Sequence, residues 1–122
     1  MCPCGNQIEY SRCCELFHKH QLPITDALTL MKSRYSAYVY ANADYILNTT
    51  HPNKVHLHHK KDMLNWAKAN KWLKLEIISH NINTVEFKAY YFNNKMQLEV
   101  HHERSRFEQL NNKWYYLDAI YF

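Results

Sequence analysis

Apolar residues recur along this chain in two rhythms, and the change between them falls near Trp72. In "DALTLMKSRYSAYVYA" (residues 26–41), Ala27, Leu30, Met31, Tyr38 and Ala41 are spaced to form one stripe of an α-helix, with Arg34 on the same stripe. Thr25 is the expected N-cap, and Asp26 in the first turn suits the helix dipole. "NADYILNTTHP" predicts a shorter helix, capped near Asn42 or Asp44 and stopped by Pro52. "NKVHLHHKKDMLNWAKANKW" predicts a third, started by Asn53 and carrying Leu57, Leu64, Trp66 and Ala67. Beyond Trp72 the pattern alternates. "WLKLEIISH", "TVEFKAYYF", "KMQLEVHHERSRF" and "KWYYLDAIYF" predict four strands, joined by "HNIN" and by turns at Asn93-Asn94 and Asn111-Asn112. Three helices followed by an antiparallel meander is an α+β domain, its helices packed on one face of the sheet.

The first fourteen residues, "MCPCGNQIEYSRCC", follow neither rhythm and hold every cysteine and the only glycine. Cys2 and Cys4 lie on a turn stiffened by Pro3, with Gly5 free to take positive φ. Cys13 and Cys14 open a short helix, "CCELFHKH", whose dipole favours thiolates. Four thiolates in one short segment suit a closed tetrahedral zinc site, with Cys2, Cys4, Cys13 and Cys14 as ligands of one structural Zn²⁺. His18 or His20 replacing one cysteine is a variant of that reading. Two disulfides or reactive redox thiols are the competing readings, disfavoured where no export signal is seen. "HKHQLPIT" then forms a short linker ending at Pro23 and Thr25.

"CPCGNQIEYSRCC" resembles the SEC-C zinc knuckle, whose pattern reads Cys-Pro-Cys-Gly-Ser-Gly-x-x-Tyr/Phe-x-x-Cys-Cys/His. Cys2, Pro3, Cys4, Gly5, Tyr10, Cys13 and Cys14 match it, while Asn6 and Gln7 depart from it. Knuckles of this kind serve elsewhere as docking surfaces, which implies a protein partner for this one. "LMKSRYSAYVYANADYILNTTHP" and "HERSRF…WYYLDA" are similar to the YchJ-like family of bacterial proteins. In that family a SEC-C knuckle precedes a domain of the nuclear transport factor 2-like (NTF2-like) fold. The resemblance implies a knuckle over residues 1–22 and a cone-like domain over residues 23–122, helices lying in the concave face of a curved sheet. Family members often end in a second knuckle, whereas this chain stops at Phe122, and the family's common Asp-Gly after the last strand's aromatics is Asp118-Ala119 here. The resemblance implies a fold and a metal but no reaction.

Composition adds limits. With 47% hydrophobic and 21% charged residues the chain is globular, and its aromatics are abundant, ten Tyr, five Phe and three Trp. No apolar run approaches a membrane span and no secretory leader is visible, so a cytoplasmic location is expected. A net charge of +4 permits an acidic partner without demanding one, and no nucleic-acid motif accompanies the basic residues. The histidines of "HLHHKK" are read as a solvated face, because their spacing does not bring them to one side of a helix. His101 and His102, adjacent on a strand, point to opposite sides and share no joint ligand role. Composition does not fix the oligomeric state; a dimer is compatible with it.

Relatives of the implied fold enclose a pocket that in some binds a small molecule or carries hydrolase, isomerase or dehydratase chemistry. On the third strand Leu98 and Val100 share a face with His102, Arg104 and Arg106, opposite Glu103, Ser105 and Phe107 unless a bulge exchanges them. Trp114, Tyr116 and Asp118 share a face of the last strand. Candidate pocket residues are therefore Arg34, Tyr38, His102, Glu103, Arg104, Tyr116 and Asp118. A buried arginine calls for a carboxylate, Glu103 first and Asp118 second. A structural ion-pair network explains the same residues and is preferred to an active site with His102 as acid/base and arginines gripping an anion. The expected function is a zinc-stabilised binding or adaptor module for a protein partner or a small anionic ligand. A small pocket enzyme is the alternative.

Overall fold

The computed structural model describes residues 1–122. A 3₁₀ turn at Tyr10–Arg12 and a one-turn helix α1 (Glu15–His18) complete the cysteine segment. Helices α2 (Ala27–Val39), α3 (Ala43–Asn48) and α4 (Lys60–Ala69) follow. Strands β1 (Lys71–His80), β2 (Thr84–Phe92), β3 (Leu98–Leu110) and β4 (Lys113–Tyr121) form one antiparallel sheet in the order β1-β2-β3-β4.

Helix α2 is central. Its N-cap is Asp26, not Thr25: the Asp26 carboxylate accepts the Thr29 N–H at 2.7 Å. Ala27, Leu30, Met31 and Tyr35 join Val85, Phe87, Ala89, Phe107 and Tyr116 of the sheet in the main core. Ser33, Ser36 and Ala37, on the other side of the helix, are also buried. Helix α2 thus lies between the sheet and a second layer of knuckle and α3, so its sequence shows only a weak apolar stripe.

Other departures from the sequence expectations also have clear causes. The third helix starts at Lys60, not Asn53. Val55–Leu57 forms a 3₁₀ turn, and His58 and His59 are extended, because Leu57 is exposed and no buried face holds the segment helical. The β2–β3 connection spans residues 93–97, where Asn93 Oδ1 accepts the Lys95 and Gln97 N–H groups and Met96 takes positive φ. The β3–β4 hairpin turns tightly on Asn111 and Asn112, both left-handed, between the paired Leu110 and Lys113.

A departure in β4 shapes the site. Arg106 pairs with Asp118 but Phe107 pairs with Tyr116, so Leu117 is an extra residue in β4. Tyr116 therefore faces the helices while Asp118 turns to the outer face, where its carboxylate holds Arg106 at 2.6 and 2.5 Å. Past the bulge, Ala119 and Tyr121 pair with Ser105 and Glu103 and face inward. The segment between α3 and the 3₁₀ turn touches β4 through a single parallel bridge at Thr50, with His51 N–H donating to Tyr116 O at 2.7 Å.

Candidate functional site

The four cysteines converge. Cys2, Cys4, Cys13 and Cys14 are free and buried, their sulfur atoms all within 4.8 Å of one another. A tetrahedral site with metal–sulfur bonds of about 2.3 Å has sulfur–sulfur edges of about 3.8 Å. Cys4 and Cys13 Sγ stand 3.7 Å apart. Gly5, at φ 101°, closes the first turn, its N–H donating to Cys2 O at 3.1 Å. A hydrogen bond from Cys14 and another from the Asn6 backbone pull the Cys4 thiol down to about 5, against the upward push of burial. Cys14 is pushed up by the reciprocal hydrogen bond and by burial. Burial pushes Cys13 up as well, so it is the convergence of four sulfur donors, not a shared low pKa, that fits one metal ion.

Two supporting residues carry no sequence signal. Asn6, where the SEC-C pattern has Ser, donates its amide to Cys13 Sγ at 3.3 Å and accepts Lys32 Nζ at 3.3 Å. Ser36 of α2 donates to Cys14 Sγ at 3.2 Å and lies 3.6 Å from Cys2 Sγ. His18 is not a metal ligand: one ring nitrogen meets Tyr10 OH at 2.7 Å and the other meets Ser33 O at 2.8 Å. Burial lowers the basicity of His18. His20 lies outside the cluster, near Glu15.

A cavity of about 260 Å³ lies between α2, α4 and the sheet. Aromatic side chains dominate its wall, among them Tyr35, Tyr38, Trp66, Trp72, Phe87 and Tyr121. A more open hollow of about 280 Å³ shares Tyr38, His58 and Trp66 with it, so the two adjoin. Burial, and then the charge of Arg34, lowers the basicity of His58. Burial pushes the Tyr35 hydroxyl up to about 12 and raises Tyr38 and Tyr116 as well, keeping all three as protonated donors.

Of the sequence candidates, the structure brings Arg34, Tyr38, Glu103 and Tyr116 together at this cavity. His102, Arg104 and Asp118 are elsewhere. Strand alternation puts His102 and Arg104 on the outer face, where His102 meets Glu86 at 2.9 Å and stacks on Phe122, and Arg104 lies over the Phe122 ring. The bulge at Leu117 sends Asp118 to that same face. His101 stands in the cavity instead of His102, with Nε2 2.6 Å from Glu103 Oε1, and Ser105 Oγ donates to Glu103 Oε2.

Arg34 makes no ion pair with Glu103 or Asp118, which corrects the expected pairing. Nη1 donates to Ile46 O at 2.8 Å, Thr49 Oγ1 at 2.7 Å and Thr50 Oγ1 at 3.3 Å. The guanidinium also lies 4.5 Å over the Tyr116 ring. The carbonyl end of α3 carries partial negative charge, and it takes the place of the carboxylate.

Residues 26–119 match the family described as YchJ, middle NTF2-like domain. The chain belongs to this family. A UPF0225 protein of Vibrio vulnificus is 37% identical over 98% of this chain and 74% of its own length. Another, from Serratia proteamaculans, is 39% identical over 98% of this chain and 82% of its own. Among solved structures, a SEC-C motif containing protein from Rhodopseudomonas palustris superposes with a TM-score of 0.88 at 30% identity, covering 98% of this chain and 96% of that one. A second, from Psychrobacter arcticus, gives 0.82 at 33% identity, covering 97% and 80%. The YchJ-family domain here thus carries a SEC-C-type cysteine cluster on its central helix, and none of its helices is long and apolar enough to cross a membrane.

Proposed function

We propose that this YchJ-family protein is a zinc-stabilised binding module. One structural Zn²⁺ is held by Cys2, Cys4, Cys13 and Cys14, and the NTF2-like domain holds a small ligand in the cavity between helices and sheet. Zinc is the natural choice for four thiolates in a closed tetrahedral arrangement, and it needs no open coordination position for this role. The observation that carries the ligand reading is the cavity itself, about 260 Å³ with aromatic walls and the side chain of Arg34 set into it. Pockets with apolar walls and a few placed polar groups are the usual form of small-molecule sites. Ile8 and Tyr40, both exposed beside the cysteine cluster, give the knuckle an apolar outer surface for a protein partner.

A small pocket enzyme is a second reading, favoured by one contact. His101 and Glu103 form a carboxylate–imidazole pair inside the cavity, the arrangement that orients a histidine for acid/base work. A binding role requires less, because it needs no proton transfer by the pair.

A fragment screen by NMR tests the ligand reading. Small aromatic compounds, neutral and charged, are expected to shift the indole N–H signals of Trp66 and Trp72 together. A screen whose hits leave both signals unmoved contradicts a ligand site in this cavity.

A further inference from the structure

Arg34 is about 93% buried, being 7% exposed, yet only one of its three nitrogens is used. Nε and Nη2 bond no protein atom. No nitrogen of the side chain is both fully buried and unpartnered, so this edge reaches open space, and the open space that Arg34 lines is the cavity. The same edge is put to use elsewhere in the molecule. Arg106 grips the two carboxylate oxygens of Asp118 with Nε and Nη2, at 2.6 and 2.5 Å. That side-on fork is the strongest geometry a guanidinium offers to a carboxylate.

Glu103 does not fill the role for Arg34, since its two oxygens are taken by His101 and Ser105. Its charge nevertheless shares the cavity and adds to the cost of every negative charge on a ligand, so a single carboxylate facing Arg34 is favoured over a dianion such as phosphate. The walls reward a flat apolar body: Trp66, Trp72, Tyr38 and Tyr121 offer ring faces and edges. A cavity of about 260 Å³ limits that body to one or two rings.

We propose that the cavity takes a planar aromatic monocarboxylate, its carboxylate gripped by the Nε–Nη2 edge of Arg34 and its ring held among Trp66, Trp72 and Tyr38. The proposal rests on the reading of the cavity as a ligand site and names the ligand's class.

Calorimetry with matched probes, cinnamate against cinnamamide and benzoate against benzamide, decides it, with the Trp66 and Trp72 indole signals reporting location. The wild-type protein is expected to bind each carboxylate about tenfold or more tighter than its amide, from loss of charge-assisted hydrogen bonds. Arg34→Lys, which keeps the charge but not the fork, is expected to close most of that gap. Equal affinity for acid and amide overturns the proposed class while leaving the cavity a ligand site. A gap that survives Arg34→Lys overturns the role of Arg34. Probes that all fail to move Trp66 and Trp72 overturn the cavity reading and the proposal with it. Should Arg34→Lys not fold, Glu103→Gln decides: removal of the competing charge tightens cinnamate several-fold and leaves cinnamamide unchanged, and any other pattern contradicts the proposal.

Discussion

A single arginine on the inner stripe of α2 shows how a buried charge can be satisfied without an opposite charge. Arg34 gives one nitrogen to the carbonyl end of α3 and to two threonine hydroxyls, and lays its plane over Tyr116. These bonds tie α2 to α3, so Arg34→Met should destabilise the fold by roughly 2–4 kcal/mol, the cost of charge-assisted bonds lost with their acceptors left behind. Because Glu103 is engaged with His101 and Ser105, Glu103→Gln combined with Arg34→Met should be nearly additive, coupled by less than about 1 kcal/mol in denaturant titrations. A coupling of about 3 kcal/mol or more would mean that the two residues act as a buried ion pair. The burial of Arg34 was legible from its place among Leu30, Met31 and Tyr38, but its partner was not, because a helix end has no sequence signature at that distance. The two neighbouring histidines of β3 show a similar limit. Leu98 and Val100 suggest that their face points inward and carries His102 with it, yet both are exposed. The first residues of β3 are exposed on both faces, so apolar content there does not report burial, and alternation then brings His101 rather than His102 to the cavity.

Among the elements, the strand pattern and the hairpin on Asn111-Asn112 follow directly from period and turn chemistry. The bulge at Leu117 does not, since an added residue leaves the alternation of "WYYLDAIYF" looking regular. It decides the site all the same, because it puts Tyr116 and Tyr121 inside and Asp118 outside. The start of α4 is obscured for another reason: polar residues with helical propensity occupy a segment that tertiary packing leaves extended. A scarcity of glycine leaves its mark at this scale too. With Gly5 committed to the knuckle, left-handed positions fall to Gln21, Ala41, Met96, Asn111 and Asn112. Ala41 closes α2 at φ 54°, next to Asn42 N–H donating to Ala37 O at 2.7 Å. An L-residue with a Cβ pays about 1–2 kcal/mol in that region. Ala41→Gly should therefore raise stability by about 0.5–1 kcal/mol once the added freedom of the unfolded chain is deducted, read as a higher denaturant midpoint. A loss of stability would show that the Ala41 methyl group contributes packing that outweighs the strain.

At the scale of the whole molecule, the cysteine cluster and the domain form a continuous structure. Ser36 of α2 bonds Cys14, Ser33 O meets His18, and Tyr10 packs against Tyr40 with tilted rings 4.4 Å apart between centroids. The four-cysteine cluster of SEC-C type was legible in fourteen residues, since residue type and spacing specify it locally. Its attachment to α2 was not, because it depends on serines that read as ordinary helix residues. The same α2 lines the cavity on its other side with Met31, Arg34, Tyr35 and Tyr38, so cysteine cluster and cavity share one element. A structural zinc in so small a unit supplies folding free energy on the order of 10 kcal/mol. The central claim is that the four cysteines hold that ion, and native mass spectrometry of the protein purified without reductant or chelator tests it most directly. The account predicts a mass of one chain plus one zinc ion, with the zinc lost in Cys4→Ser; a metal-free chain, or one lighter by the hydrogens of two disulfides, would contradict it.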